Sequence, residues 1–165
     1  MGEDLKKASS DPNINWIIVY YHKTAYTSPS IARPLTEIQP FTEFRDLYHP
    51  LFDKYHVDLV LQGHEHNYQR SHPLKYNINN SSNPIITDTD THNYTNPQGR
   101  IFVIVGTAGA HFFKLLGQAH YIATQFTGIH GFLNIDVKGA TTLNAKFYSN
   151  DGSIKDQFTI TKKSQ

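Results

Sequence analysis

The constraint that narrows the fold most is a pair of short apolar runs separated by a helical period. Asn15–Tyr21, NWIIVYY, is continuous, β-branched and aromatic, which predicts a strand buried on both faces. From Phe41 the period changes. Phe44, Leu47, Tyr48, Leu51, Phe52 and Tyr55 recur three and four apart, opposite Glu43, Arg45, Asp46, Asp53 and Lys54, as on an amphipathic helix. Pro50 inside this stretch predicts a kink or a restart, because its ring removes one hydrogen bond and crowds the preceding turn. Val57–Gln62, VDLVLQ, then predicts a second buried strand, and a helical crossover between two strands is what parallel pairing requires. IFVIVGTAGA, from Ile101, predicts a third strand running into a small-residue loop.

The tail has another character. FLNIDV, TTLNAKFY and DQFTIT alternate apolar and polar residues around turn signals at Lys138-Gly139 and Asn150-Asp151-Gly152, an antiparallel meander. The expected class is α/β: a buried mixed sheet with a helical crossover, followed by a C-terminal antiparallel meander. GEDLKKASS, near the start, resembles the end of a helix. HKTAYTSPSIARPLTEIQP is expected to be loop, and Ser71–Arg100, rich in Asn, Ser and Thr, a long loop or excursion. No repeat or linker divides the 165 residues.

Composition excludes several functions. With 15 basic and 14 acidic residues the net charge is +1, so the chain lacks the electrostatic footprint of a nucleic-acid or acidic-membrane binder. Absence of cysteine excludes disulfides, thiolate metal sites and cysteine nucleophiles. No run reaches the roughly 20 apolar residues of a membrane helix, and MGEDLKKASSD has no apolar core of a signal peptide.

The ten histidines carry the chemistry. Ligands of open α/β sheets collect beyond the carboxyl ends of strands, and His22 and His64 both follow predicted strands directly. His66 would lie on the same side of a locally extended backbone, its Cα roughly 6–7 Å from that of His64. Such a pair can converge on one metal or serve two ions about 3.5–4 Å apart. The spacing is equally compatible with two imidazoles in a polar loop, and a single histidine after a strand is more often an ordinary loop residue. Among the others, His111 after the GTAGA loop is a candidate cleft residue. Asp58 opens a strand, and Glu65 is expected to point away from its neighbours. Gly106–Gly109 lacks the helix start and lysine of a phosphate cradle, and Ser28 and Ser30 lack a nucleophile elbow.

HKTAYTS, with Tyr26 and Ser28 behind His22, together with KYHVDLVLQGHEHNYQR, resembles the calcineurin-like metallophosphoesterases, in their purple acid phosphatase-like branch. Gly63, His64, His66, Tyr68 and Arg70 match that branch's G-H-x-H-x-Y-x-R; Ala25 stands where proline is usual and Gln69 where glutamate is common. The resemblance covers nearly the whole chain, VGTAGA and HGFLNIDV included. It corresponds to the C-terminal portion of the catalytic domain (1–165), because the earlier Asp-x-His, Gly-Asp and Gly-Asn-His blocks do not occur here.

The resemblance implies a partial metallophosphoesterase fold and a hydrolase acting on phosphate esters through two metal ions, Fe, Zn or Mn. His22 and His64 would bind one ion and His66 the other. Tyr26, Tyr68, Arg70 and His111 would stand on the cleft or substrate side. No catalytic residue is assigned within the chain. With three ligands of about seven, it should hold one ion weakly and show little activity alone. The implied partners are a phosphate ester and the missing N-terminal half, whose absence would leave apolar surface and sheet edges open. Three sequons, at Asn79, Asn80 and Asn93, and the resemblance lean towards export. A non-catalytic binding or assembly module and a phosphodiesterase are the competing readings.

Overall fold

The computed structural model describes residues 1–31, 37–38 and 41–163; the rest of the predicted loop after His22 lies outside the described residues. A five-stranded mixed sheet runs in the order Ile18–Tyr20, Leu59–Gln62, Ile101–Val105, Tyr68–Ser71, Ile122–Phe126. The first three strands are parallel, and the last two are antiparallel to their neighbours. A second sheet orders Gly131–Lys138, Thr142–Ser149, Ile154–Thr161 and Asn93–Thr95. Its first three strands form the predicted meander, and Asn93–Thr95 adds in parallel to Ile154–Thr161.

Strand alternation builds two cores, one on each face of the five-stranded sheet. Val60 and Phe102 point to one face, where they meet Phe52 of helix α2 (Thr42–Lys54), Leu5 of helix α1 (Gly2–Ser10), Leu74 and Tyr26. Leu59, Ile101 and Val103 point to the other and pack on Leu143, Ala145, Phe147, Phe158 and Ile160 of the second sheet. The layers are therefore helix, mixed sheet and antiparallel sheet, the α/β arrangement expected.

Several details differ from the sequence reading. Ile18–Tyr20 is an edge strand, not one buried on both faces, and Tyr20 is 82% exposed. One helix spans Pro50 without a restart, because Arg45, His49 and Phe52 are buried at four- and three-residue spacing on both sides of it. Leu47, expected in the apolar stripe, is exposed instead. Arg45 and His49 can take the inner positions because most of their polar atoms are matched, Arg45 Nε being the exception. Arg45 donates to Ser82 Oγ at 3.0 Å, and His49 meets Tyr26 OH at 2.7 Å and Leu74 O at 3.2 Å. The Ser71–Arg100 excursion is also partly ordered, with Leu74–Lys75 paired to Ile85–Ile86 and Asn93–Thr95 joined to the second sheet.

A buried ion pair ties the two sheets. Arg70 donates to Asp156 from Nε at 2.6 Å and from Nη2 at 2.9 Å, with both side chains at most 5% exposed. Nη1 donates to Tyr94 OH and Nη2 also to Thr91 O, while Tyr68 OH donates to Asp156 at 2.7 Å. Removing one partner of such a pair leaves a buried charge unmatched. Asp156→Ala is accordingly expected to lower stability by about 3–5 kcal/mol, read from urea unfolding. Asp53 makes a separate, pH-dependent tie, from helix α2 to Tyr76 and Arg100. Burial alone would raise its carboxyl, but His49, the Tyr76 N–H and Arg100 outweigh burial and hold it below its ordinary value of 3.8. Its contribution is therefore present above that value and lost as pH falls through the lower folded one. In a thermal-unfolding series against pH, Asp53→Asn should flatten the acid limb below about pH 4.

Candidate metal centre

The carboxyl ends of the parallel strands converge on one side of the sheet, and the loops leaving them are tied by the backbone. Tyr21 N–H donates to Leu61 O at 3.1 Å and Gly63 N–H to His22 O at 3.0 Å, so strand pairing extends just past both strand ends. This brings residues 42 positions apart face to face: His22 Nε2 lies 3.3 Å from His64 Nδ1, with the ring planes at 85°. Gly63 allows the approach, because a Cβ there would sit 3.3 Å from His22 Nδ1. His64 itself has φ +65°, a left-handed conformation that strains any residue with a Cβ.

The H-x-H segment is not extended as its spacing suggested. Glu65 N–H donates to Gly63 O and Asn67 N–H to Glu65 O, both at 2.8 Å, so two tight turns follow each other. The histidines consequently part company. His64 faces His22 and packs edge-on against Phe41, with ring centres 4.9 Å apart. His66 turns to the loop after Ile101–Val105, stacks on Phe113 at 4.1 Å and lies edge-on to His111 at 5.0 Å. That loop is held close: Phe113 N–H donates to His66 O, Gly106 N–H donates to Asn67 O, and a Cβ on Gly106 would run into the Glu65 carbonyl oxygen.

The donor chemistry suits an ion at both places. Two nitrogens on one tetrahedral ion at about 2.0–2.1 Å stand about 3.3–3.4 Å apart, the separation found between His22 and His64. Burial first, then the charges of His22, Lys23 and His66, lower the His64 pKa and favour its neutral, ligand-competent form. His66 Nδ1 donates to the His111 carbonyl at 2.8 Å, which leaves Nε2 with a free lone pair. Fixing one ring nitrogen on a carbonyl is how ligating imidazoles are commonly oriented. Among the described residues, no three histidine, aspartate or glutamate side chains stand together as a complete site.

Tyr26, Tyr68 and Arg70 do not line the cleft. All three are at most 1% exposed, and each is engaged inside: Tyr26 with His49, Tyr68 and Arg70 with Asp156. The reason is the pleat that follows the turn. Tyr68 and Arg70 lie in a central strand of the mixed sheet, where bulky side chains must pack or pair. His111 does stand exposed beside His66. Sequence reasoning turned Glu65 away from its neighbours but missed Asn67 and Gln69 as inward residues of the same stretch. Glu65 is fully buried, its Oε2 accepts from Ser30 Oγ at 2.7 Å, and burial, opposed by that hydrogen bond, pushes its pKa up to about 7. Asn67 and Gln69 are buried with it. The signal was the regular placing of Glu65, Asn67 and Gln69 at every second position.

No protein-family model matches the chain. It is 34% identical over 114 residues to acid phosphatase type 7 of Homo sapiens, a match covering 64% of this chain and 24% of that protein. It is 30% identical over 120 residues to probable inactive purple acid phosphatase 27 of Arabidopsis thaliana, covering 70% and 18%. The chain thus spans about a fifth to a quarter of these curated relatives. The structure of purple acid phosphatase PPD1 from yellow lupin seeds superposes with TM-score 0.77 at 27% identity, over 97% of this chain and 28% of that one.

The strain at His64 is measurable in the metal-free chain. His64→Gly and His64→Ala remove the same imidazole, but only alanine keeps a Cβ at φ +65°. The glycine variant should therefore be the more stable by about 1 kcal/mol in urea unfolding.

Proposed function

Since the chain belongs by sequence and fold to the purple acid phosphatase-like branch of the calcineurin-like phosphoesterases, we propose that it forms the histidine wall of a metal-dependent phosphomonoester hydrolase. The observation that carries the reading is the facing pair of imidazole nitrogens, 3.3 Å apart, at the ends of adjacent parallel strands. His22 Nε2 and His64 Nδ1 would hold one ion of a two-metal centre and His66 Nε2 would serve the other; Fe, Zn and Mn all accept imidazole. Bound ions supply an activated water and neutralise charge on the phosphoryl oxygens. The chain's own residues prepare for this. The His111 carbonyl fixes the ring of His66, and the exposed His111 side chain stands where a phosphate ester would approach.

The remaining ligands come from polypeptide outside this sequence, with residues 1–165 acting as the C-terminal portion of the catalytic domain. An open flank supports this. Among the described residues, both sheets present an unpaired edge, at Ile18–Tyr20 and at Gly131–Lys138. Between them lies an open, largely apolar groove of about 650 Å³, lined by Tyr20, His22, Leu61, Val105, Phe132 and Leu133. The second reading is a non-catalytic metal-binding or assembly module, favoured by a relative that carries the name of a probable inactive phosphatase.

Titration with Zn²⁺ or Mn²⁺ tests the ligand set. Affinity should fall about tenfold or more in His22→Ala and in His64→Ala, and unchanged affinity in both would return these histidines to ordinary loop residues. With p-nitrophenyl phosphate the chain alone should turn over near background. Robust metal-dependent turnover by the chain alone, lost in His64→Ala, would overturn the shared-site reading, and preference for bis-p-nitrophenyl phosphate would move the assignment to diesters.

A further inference from the structure

The two rings that face each other belong to loops from different strands, and the ring contact itself is one imidazole pair at 3.3 Å. The backbone bonds from Tyr21 N–H to Leu61 O and from Gly63 N–H to His22 O align the two strand ends, but the loops beyond them need ties of their own, because ligand geometry tolerates errors of only about 0.5 Å. The buried side of the histidine turn supplies them. Gln69 Oε1 accepts the Ser28 N–H at 2.7 Å, and its Nε2 donates to Thr27 Oγ1 at 2.8 Å and to Asn67 Oδ1 at 2.9 Å. Glu65 Oε2 accepts from Ser30 Oγ at 2.7 Å. One strand earlier, Gln62 Nε2 donates to Lys23 O at 3.0 Å.

Apart from the Gln69–Asn67 bond, which braces the histidine segment itself, these bonds run between the segment after His22 and the segment carrying His64 and His66. Thr27, Ser28, Ser30, Glu65, Asn67 and Gln69 are each at most 4% exposed, so water competes little for the bonds. A third segment closes the set: the Ala119 N–H donates to Ser28 Oγ at 3.1 Å and Tyr121 OH to Thr27 O at 3.0 Å.

We propose that Gln69, with Asn67 and Glu65, is a positioning clamp that locks the Thr27–Ser30 segment onto the histidine turn and so fixes the His22–His64 spacing before any ion binds. The proposal rests on the metal-binding reading above for its purpose, but not for its geometry. The histidines face outward and the residues between them hold the wall upright. Gln69 is the hub because a primary amide offers an acceptor and two donors at once, and all three bonds are made.

Gln69→Met keeps the volume and removes all three bonds; Thr27→Val removes one of them, with the local bond from Thr27 Oγ1 to Ser28 O, and is the milder variant should methionine prevent folding. Ile160→Ala, in the core on the opposite face of the sheet, is the control for general loss of stability. In the metal-free chain the nuclear Overhauser contact between the His22 and His64 rings should disappear in Gln69→Met and weaken in Thr27→Val, yet persist in Ile160→Ala. Zn²⁺ affinity should fall about tenfold to a hundredfold in Gln69→Met and remain within about twofold in the control. An unchanged ring contact and affinity in folded Gln69→Met, or in folded Thr27→Val where methionine fails to fold, would overturn the clamp, as would equal losses in Ile160→Ala. If His22→Ala and His64→Ala bind Zn²⁺ like the parent, the metal reading fails while the ring contact still decides the clamp.

Discussion

A buried guanidinium sets the terms for the rest of this structure. Arg70 leaves the histidine turn on a central strand and has no route to solvent, so its charge must be matched internally. Asp156, 86 residues further on, matches it bidentately, and Tyr94, Thr91 and Phe158 complete its surroundings. The pairing forces the last strand of the meander against the mixed sheet in one register. Leu143, Phe147 and Ile160 then have no alternative but the face formed by Leu59, Ile101 and Val103. A pair of this kind adds little net stability over an apolar equivalent; its value lies in excluding other dockings.

That rigidity matters at the sheet's carboxyl end. A glycine beside the His22 ring, a strained His64 and a glycine against the Glu65 carbonyl are local compromises, each unfavourable alone. They persist where the surroundings over-determine the backbone. Here the strand below is anchored by Arg70 and the loops above by Gln69, so the imidazoles meet at fixed separation between two well-held layers.

Much of this was legible in the sequence, and the limits are physical. The crossover helix, the parallel strands and the meander follow from period alone, because each needs only local amphipathicity. Ile18–Tyr20 reads like a buried strand, yet it is an edge: apolar runs report burial potential, not which neighbour arrives. Tyr68–Ser71 and Ile122–Phe126 carry too many polar residues for strand periodicity to reveal them; their partners lie on other strands. For the site, strand-end placement brought His22 and His64 into question, and the structure sets their rings face to face. The family resemblance put Tyr26, Tyr68 and Arg70 on the cleft side, because a motif shows which residues travel together but not which side of the backbone they occupy. Asp156 and His49, the partners that draw them inward, lie outside the motif.

The two open edges differ in a way that bears on how this flank behaves in solution. Along Gly131–Lys138 the exposed positions mix Phe132 and Val137 with Asn134, Asp136 and Lys138, so a second strand aligning there would meet charged side chains among apolar ones. Ile18–Tyr20 has no such guard and offers Tyr20 beside apolar grooves on both faces; its defence is brevity, three residues and a short ladder. The flank thus has one long edge of mixed character and one short edge without charge, and strand addition is limited by charge at the first and by length at the second.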